Sequence, residues 1–497
     1  MNWFTKNVLL FNLVVLVAAV AWIHGGMRAD LLLPVIPWLA VIVLEWLLVY
    51  PQTKKNESLL DARRRVWRAL ARDPLTYLSV VFTVVLVIPL FNVASAPQFV
   101  AETGEWVKAE PPVGWLPFCA DTSAHSPLLL WFIPAMIAVL AAKHGLLKKS
   151  KRILLEAACW NGTVLAVLGF LQLWSGTTAI FWMTKVPVYF FSSFGYPNSA
   201  GAYFTLTFAL SFGIWLQQMT EGSVLFAETT QEMLVLPSKF RSNRMLVPTI
   251  LCLAAAIASL SRAAILLCAL LAVVFLVYGL VYVWRRLTVA MRITVLAGIG
   301  AVLFSSTALF FAFNPASLKK EVSSITWDAV TERVSGVGQY HVRVATEIWK
   351  DHPVYGVGGW GYLRYQLVYL TPEEKKKLQI FGGANVHNDT FQFLAEQGAV
   401  GFGLMVLFAL TLFGTMAWGV LKACRARRKV ERAKGKKMLT GWVSLIPPPA
   451  MAVWAGTTAT VCHSLGDLPF RCPAVLVVWL LAFVCATGWI PVVVKSK

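Results

Sequence analysis

Residues 382–403 read GGANVHNDTFQFLAEQGAVGFG and join a polar turn to a helix that becomes fully apolar. The turn carries a single histidine, His387. Asn388 is a good N-cap residue and Asp389 suits the first turn of a helix, so the pattern predicts a helix that begins directly after the histidine. An imidazole is therefore expected at the point where a helix enters an apolar environment.

The composition of the whole chain indicates what that environment is. Of the 497 residues, 58% are hydrophobic and 21 are tryptophans, and the mean hydropathy is +0.66. A soluble chain of this length would be more polar, and tryptophan is enriched at membrane interfaces. The predicted fold class is an all-α polytopic membrane protein, since helices satisfy their own backbone groups in lipid.

Apolar runs long enough to cross a bilayer organise the chain. Twelve are predicted, at about residues 7–24, 31–50, 76–94, 127–143, 153–175, 199–217, 246–260, 263–283, 293–313, 397–421, 446–465 and 472–493. They divide the chain into membrane helices over 1–313, an outer loop over 314–396 and membrane helices over 397–497. A loop of the length of 314–396 is usually functional or independently structured.

The distribution of basic residues predicts the orientation. The net charge is +20, and the basic residues concentrate in every second loop, at 51–75, 148–152, 239–244, 285–292 and 422–437. By the positive-inside rule these loops and both termini are cytoplasmic, and the loops 95–126 and 314–396 lie outside. Topology thus accounts for the charge without nucleic acid as a partner.

The eight cysteines do not suggest a metal or redox site. Most lie inside apolar runs, and no C-x-x-C spacing occurs, so a zinc or dithiol motif is not predicted. Only Cys119 and Cys472 are placed where they could meet on the outer side.

His387 is the first candidate for chemistry. A neutral imidazole that faces water at a membrane surface is a competent general base; the alternative is a polar turn residue. Glu396 follows nine residues later, two and a half helical turns on, so it points away from the face of His387 and is expected to brace the membrane interface. Gly398, Gly401 and Gly403 give the helix a small face that is expected to pack closely on a neighbour.

Arg262 is the second candidate. It lies in the short break between the seventh and eighth predicted spans, on the outer side. Arginine close to the membrane interior is costly and tends to mark a ligand, and a phosphate or diphosphate suits its planar fork. The alternative is snorkelling to outer headgroups. Arg343, on a predicted outer helix, has Glu347 at i+4 and could simply form a surface ion pair.

Two glycine- and proline-containing segments predict turns. His352-Pro353 ends an amphipathic helix over 339–350. The following residues 356–361, GVGGWG, match G-x-G-x-x-G formally, but no βαβ pattern surrounds them, so a dinucleotide site is rejected in favour of a close backbone approach at Gly356 and Gly358. Pro197 and Asn198 predict a turn and the start of a helix.

Five motifs occur in an order that resembles the O-antigen ligase and O-antigen polymerase superfamily of bacterial membrane glycosyltransferases. They are GYPN at 195–198, SR at 261–262, an outer helix with Arg343 that ends in DHPVYGVG at 351–358, HN at 387–388 and LAEQGAVG at 394–401. Each motif alone is common, and the ordered set is fairly specific. Twelve spans with a long loop between the ninth and tenth also fit the superfamily.

The resemblance implies a reaction. Such enzymes take a glycan from an undecaprenyl diphosphate carrier at the outer face of the inner membrane and need no cofactor or metal. Carried over to this sequence, His387 would deprotonate or orient the acceptor hydroxyl, and Arg262 would hold the departing diphosphate. Arg343, Asn198 and Asn388 are further expected contacts to diphosphate or acceptor. The family often has an arginine before the Pro-Asn turn, where this chain offers Lys185, a point charge without a bidentate fork.

The acceptor is left open by these motifs. Ligases pass the glycan to lipid A–core, polymerases pass it to another carrier-linked repeat, and protein oligosaccharyltransferases pass it to a protein hydroxyl; the ligase interpretation is slightly favoured. A twelve-span transporter is the alternative of a different class, but it would show two similar halves or a set of buried acids. A non-catalytic partner in polysaccharide assembly or flipping is a third possibility.

Overall fold

The computed structural model describes residues 3–26, 35–102, 104–108, 110–186, 189–221, 244–284, 340–375, 385–433 and 446–490, together with isolated positions between 293 and 326. The longer helices in these ranges are α1 Trp3–Trp22, α2 Ile36–Val49, α3 Leu59–Leu70, α4 Pro74–Val87, α5 Thr122–Leu140, α6 Lys148–Ser175, α7 Pro197–Glu221, α8 Leu246–Ala258, α9 Arg262–Trp284, α10 Tyr340–Asp351, α11 Gly361–Tyr369, α12 Asp389–Ala433, α13 Pro448–Ser464 and α14 Pro473–Ala486. Two small antiparallel hairpins pair β1 Gln98–Val100 with β2 Glu105–Val107 and β3 Ala179–Ile180 with β4 Thr184–Lys185.

The helices follow the predicted apolar runs. Six described helical stretches are long and apolar enough to cross a membrane, namely Pro74–Phe91, Thr122–Gly145, Lys148–Ser175, Pro197–Met219, Arg262–Tyr282 and Asp389–Ala426. Shorter apolar helices occupy Asn7–Trp22, Ile36–Val49, Leu246–Ala258 and Pro473–Trp489. More than half of the ninth predicted run, 293–313, lies outside the described residues. The all-α membrane fold is confirmed, and the number of twelve spans stays a prediction.

Helix α7 lies at the centre of the membrane part. Its apolar stretch is completely buried, and it packs closely on α13 through small residues. A Cβ added to Gly213 would come within 2.3 Å of the Ala452 Cβ, and one added to Gly456 within 2.8 Å of the Ala209 Cβ. Small residues spaced by four on both helices thus allow the backbones to approach.

A second core is separate from the main helical core and combines residues from both predicted outer loops. Phe118, from the loop after β2, is buried in one cluster with Ile348 of α10 and Tyr365 of α11. The Arg364 guanidinium binds the Asp121 carboxylate at 3.0 Å and ties the same parts together. The loop that precedes α5 is therefore part of the outer body that the sequence places in 314–396.

Helix α12 begins where the sequence predicts, at Asp389, but it is interrupted at Gly398. Gly398 has φ 58° and ψ −170°, a conformation almost restricted to glycine. In a continuous helix the amides of residues 399 and 400 would bond the carbonyls of residues 395 and 396. Here these two amides and two carbonyls form hydrogen bonds with residues 353–358 instead.

The segment 353–358 inserts its own backbone into this interruption. The Ala399 and Val400 amides donate to the Pro353 and Val354 carbonyls at 2.8 and 3.0 Å. In return, the Val357 and Gly358 amides donate to the Ala395 and Glu396 carbonyls at 3.0 and 2.9 Å. No hydrogen-bonding capacity is lost at these four positions, so the segment is held in a fixed register on the helix.

Glycine is required on both sides of this contact. A Cβ on Gly356, at φ 67°, would lie 2.4 Å from the Glu396 carbonyl carbon. A Cβ on Gly358, at φ 79°, would lie 2.7 Å from the Cys119 Cα. The prediction of a turn with a close backbone approach in GVGGWG is thus confirmed.

Gly398→Ala is expected to destabilise the protein by about 2 kcal/mol or more. The added Cβ would lie 2.3 Å from the Val354 oxygen in a backbone conformation that alanine rarely adopts. Thermal unfolding of the detergent-solubilised variant measures the effect. Gly403→Ala is the matched control, because nothing lies within 4 Å of a Cβ at that position. Equal midpoints for the two variants would show that the interruption does not depend on Gly398.

Other expectations for this region need correction. Close packing of the glycine face holds at Gly398 but not beyond it: an added Cβ at Gly401 meets only Gln397 of its own helix, and Gly403 faces open space in the described structure. Cys119 and Cys472 do not pair, and both are buried free thiols.

Candidate active site

His387 lies in the turn that opens helix α12. Asn388 caps the helix, since its Oδ1 accepts from the Thr390 and Phe391 amides at 3.1 and 3.3 Å. The Asn388 amide group donates to the Leu465 carbonyl at 2.8 Å. His387 itself has φ 56°, which costs a non-glycine residue about 1–2 kcal/mol. The turn thus holds the imidazole in a defined position, with 40% of the side chain exposed.

Asp467 is the carboxylate beside this imidazole. It lies in the turn between α13 and α14, and its Oδ1 is 3.7 Å from the His387 Nδ1. This is an ion-pair distance, longer than a hydrogen bond. The Asp467 backbone carbonyl accepts from the Asp389 amide at 3.2 Å. The start of α12 and the α13–α14 turn are therefore joined at the histidine.

The same carboxylate anchors the start of α7. The Tyr196 hydroxyl donates to Asp467 at 2.9 Å, and the Asn198 side-chain amide donates both to Asp467 and to the Tyr196 oxygen. Burial alone would raise the pKa of Asp467, but His387, His463 and the Tyr196 hydroxyl outweigh it and lower the pKa. Asp467 is thus held as an anion directly against His387.

His341, on the outer helix α10, is a second imidazole at this place. The ring centroids of His341 and His387 are 6.4 Å apart in an edge arrangement. The His341 Nδ1 lies 2.9 Å from the hydroxyl of the buried Tyr362. Burial and the neighbouring His387 lower the pKa of His341 to about 4, so this imidazole is neutral near pH 7 and offers a hydrogen bond without a charge.

Arg262 is exposed at the first position of α9. Ser261 precedes it, and the Ser261 Oγ accepts from the Ala264 amide at 3.3 Å. A Cβ added to Gly201, one turn beyond Asn198 on α7, would lie 2.7 Å from the Ser261 Cβ. The start of α9 therefore packs against the first turns of α7, the helix that also supplies Asn198 to Asp467.

Two other predicted basic residues are placed differently. Arg343 binds Glu347 at 2.9 Å, Glu374 at 2.5 Å and the Tyr369 carbonyl at 3.3 Å, so the surface-pair interpretation describes its contacts. Lys185 is exposed at the end of the β3–β4 hairpin, and its described pairing is the backbone register with Ala179. Both remain predictions as substrate contacts.

Glu396 takes a role that the sequence did not suggest. It is completely buried in an ion pair with Arg471. The Arg471 guanidinium also lies over the Trp360 ring, 4.6 Å from its centroid. Gln392 donates to the other Glu396 oxygen at 3.1 Å. The pair thus fastens the α13–α14 turn to α12 and to the outer segment that carries Trp360.

Asp467 and Arg471 were missed in the sequence. Both are charged residues in the short interval between the two last apolar runs, which the predicted topology places outside. The argument that singles out Arg262, a charge beside the membrane where lipid makes it costly, applies equally to them. Their partners His387 and Glu396 lie about 75–80 residues away along the chain, so spacing could not have paired them.

Part of the chain matches a known protein family. Residues 247–406 match the family model described as O-antigen ligase. The match includes α8 to α11 and the start of α12, and with them Arg262, Arg343 and His387, whereas Asn198 and Asp467 lie outside it. No curated protein matches the chain. Residues 247–406 therefore carry an O-antigen ligase domain, which supports the resemblance of the chain to the O-antigen ligase superfamily.

Proposed function

We propose that the protein is a glycosyltransferase that moves a glycan from undecaprenyl diphosphate to a hydroxyl of lipid A–core or a similar acceptor. The observation that carries the proposal is the position of His387 inside the O-antigen ligase domain, half exposed and 3.7 Å from a buried carboxylate. An aspartate that faces one nitrogen of an imidazole leaves the other nitrogen for a substrate and stabilises the imidazolium that forms when the ring accepts a proton.

In the proposed step, the acceptor hydroxyl donates its proton to the Nε2 of His387 as its oxygen attacks the anomeric carbon of the glycan. The bond between that carbon and the carrier's diphosphate breaks, and the diphosphate leaves with the electron pair. Asp467 balances the positive charge on the imidazole. His341, neutral beside it, is placed to donate a hydrogen bond to the acceptor or the sugar.

Arg262 is proposed to bind the departing diphosphate. A guanidinium can contact two phosphate oxygens at once and stabilise the charge that develops there. Arg262 is exposed at the first turn of α9. Lys185 and Arg343 are proposed as secondary contacts to the substrate. Arg343 can make this contact only when its carboxylate partners are displaced. The transfer is proposed to need no metal ion.

The location of the reaction follows from the charge distribution. We propose that the protein lies in the bacterial inner membrane with both termini cytoplasmic, and that residues 314–396 form the periplasmic catalytic loop between membrane parts 1–313 and 397–497. The clustering of outer-loop residues in one core, separate from the membrane core, supports this division. The start of α12, with His387, lies at their junction.

Transfer by the purified protein tests the proposal. With carrier-linked glycan from the host and either lipid A–core or a second carrier-linked repeat, the wild-type protein is expected to form the capped lipid A–core product. Extension of the carrier-linked glycan alone would assign the polymerase activity instead. His387→Ala is expected to form either product at least about 100-fold more slowly, because the proposed proton acceptor is removed.

Lys350→Ala is the control variant, since Lys350 is exposed on the outer helix α10. It is expected to retain the wild-type rate. Product formation by well-folded His387→Ala at the wild-type rate would remove the catalytic role. No product from the wild-type protein with any acceptor, together with movement of the carrier across the membrane, would favour the transporter.

A further inference from the structure

A cavity of about 260 Å³ lies beside the last turns of α6. Described residues between α6 and α7 also line it. Its lining residues are Gly169, Gln172, Leu173, Thr177, Thr178, Val186, Tyr189, Phe190 and Ser192. None of these residues contributes to the Asp467 network, and none carries a charge at neutral pH.

Gln172 is the unusual member of the lining. Its side chain is 2% exposed, yet neither its amide nitrogen nor its amide oxygen has a hydrogen-bond partner. A buried polar group without a partner costs about 1–3 kcal/mol. The cavity holds several times the volume of about 30 Å³ that one water occupies in the liquid. The cavity that Gln172 lines therefore accepts more than a single bridging water.

The hydrogen-bonding groups and charges of the lining residues indicate which class of ligand fits the cavity. The Gln172 amide presents donors and an acceptor together, and a hydroxyl group satisfies both because it also donates and accepts. A phosphate group only accepts at neutral pH and would leave the amide oxygen unpaired. With no charged side chain among the lining residues, a neutral ligand with several hydroxyl groups fits best. The Tyr189 and Phe190 rings add an apolar wall for the C–H face of a sugar.

The cavity is joined to the proposed reaction site. The Tyr189 hydroxyl donates to the Ala258 carbonyl at 2.6 Å. Ala258 ends α8, four residues before Arg262. Beyond Ser192 the chain continues directly to Tyr196 and Asn198, which bind Asp467. The cavity lining is thus connected to the segments that carry Arg262 and that bind Asp467.

We propose that this cavity is a glycan subsite in which Gln172 recognises sugar hydroxyls. The proposal rests on the proposed function for its substrate class, but it makes a binding prediction that needs no transfer. The subsite would hold a sugar of the donor or acceptor while the reacting end lies at His387. It assigns to the α6–α7 segment a part in choosing the glycan.

Saturation-transfer NMR tests the binding directly. The probe is the free repeat-unit oligosaccharide released from the host's surface polysaccharide, with the full-length protein in nanodiscs. Gln172→Leu is expected to reduce the transferred signal at least about fivefold, as loss of one or two hydrogen bonds requires. Thr163→Val, a buried change on the same helix, is the matched control; the Thr163 hydroxyl bonds the Cys159 carbonyl at 3.0 Å, away from the cavity.

The outcomes separate the two proposals. Binding that is lost in Gln172→Leu but kept in His387→Ala and Thr163→Val supports the subsite, even if no transfer is found. In the transfer assay, Gln172→Leu is expected to raise KM about tenfold and leave kcat within about twofold. Equal signals from wild type and Gln172→Leu overturn the subsite. The headgroup of phosphatidylglycerol also carries hydroxyls. If added phosphatidylglycerol binds in the cavity and the oligosaccharide does not, the cavity is a membrane-lipid site and the glycan subsite is overturned as well.

Discussion

Replacing Asp467 with asparagine is expected to slow glycan transfer by about 100-fold or more, within the range that a positioned acid–base group supplies. The asparagine oxygen can still accept from Tyr196, so the start of α7 keeps its contact. What is lost is the negative charge 3.7 Å from the His387 imidazole. The imidazolium that forms during transfer then lacks its counter-charge.

The pH dependence of this variant separates the electrostatic role from a folding effect. The folded-state pKa of Asp467 is lowered, so its stabilising contribution is fully present above the unfolded value of about 3.9 and is lost as pH falls through the folded value. Asp467 is thus ionised at every pH above about 4. The rate deficit of Asp467→Asn is therefore expected across the whole range from about pH 5 to 9.

A double-mutant cycle supplies the decisive comparison. If Asp467 acts through His387, the double variant Asp467→Asn/His387→Ala is expected to be no slower than His387→Ala alone. The transfer rate at saturating donor is measured for the wild type, both single variants and the double variant. Their protein levels are matched by size-exclusion chromatography. Losses that multiply in the double variant would show that Asp467 acts independently of the histidine, as a purely structural residue would.

Replacing Arg471 with methionine is expected to have the largest effect on stability. The change leaves Glu396 buried without its counter-charge, which typically costs about 3–5 kcal/mol. Arg471 also holds the Trp360 ring, so the outer segment is expected to loosen at the same time. The midpoint of thermal unfolding in detergent measures the first effect, and the proteolysis rate of the segment 353–361 measures the second.

The partner substitution makes this prediction specific. Glu396→Gln keeps an oxygen for the Gln392 amide at its present 3.1 Å contact and removes the charge. The double variant Glu396→Gln/Arg471→Met is therefore expected to recover most of the midpoint lost in Arg471→Met, because no unpaired charge remains buried. A double variant as unstable as the sum of both singles would mean that the pair is not the source of the loss.

Local sequence signals predicted the parts of the site that depend on neighbouring residues. Asn388 as a helix cap follows from its position before an apolar run, and the Arg343–Glu347 pair follows from i+4 spacing. The apolar runs predicted the helices because lipid leaves the backbone no alternative. These inferences need only residues within a turn or a span of one another.

The remaining features depend on contacts between distant parts of the chain. The bonds between 353–358 and the interrupted α12 join residues about 40 positions apart, and no periodicity encodes them. The sequence predicted that Gly398 packs closely on a neighbour, but not that it interrupts the helix. The surroundings of Asp467 and Gln172, which suggest their roles, form only when α13, α7 and α6 are placed side by side.

The inserted segment has a consequence for how the outer part can be altered. Its register on α12 is set by four main-chain hydrogen bonds and by Gly356 and Gly398, not by the identity of the intervening side chains. Val354, at the contact, is half exposed. Outer loops from related enzymes could therefore be grafted at this junction if both glycines are kept. Such chimaeras would inherit the membrane body unchanged and test, segment by segment, which part of the loop dictates the acceptor.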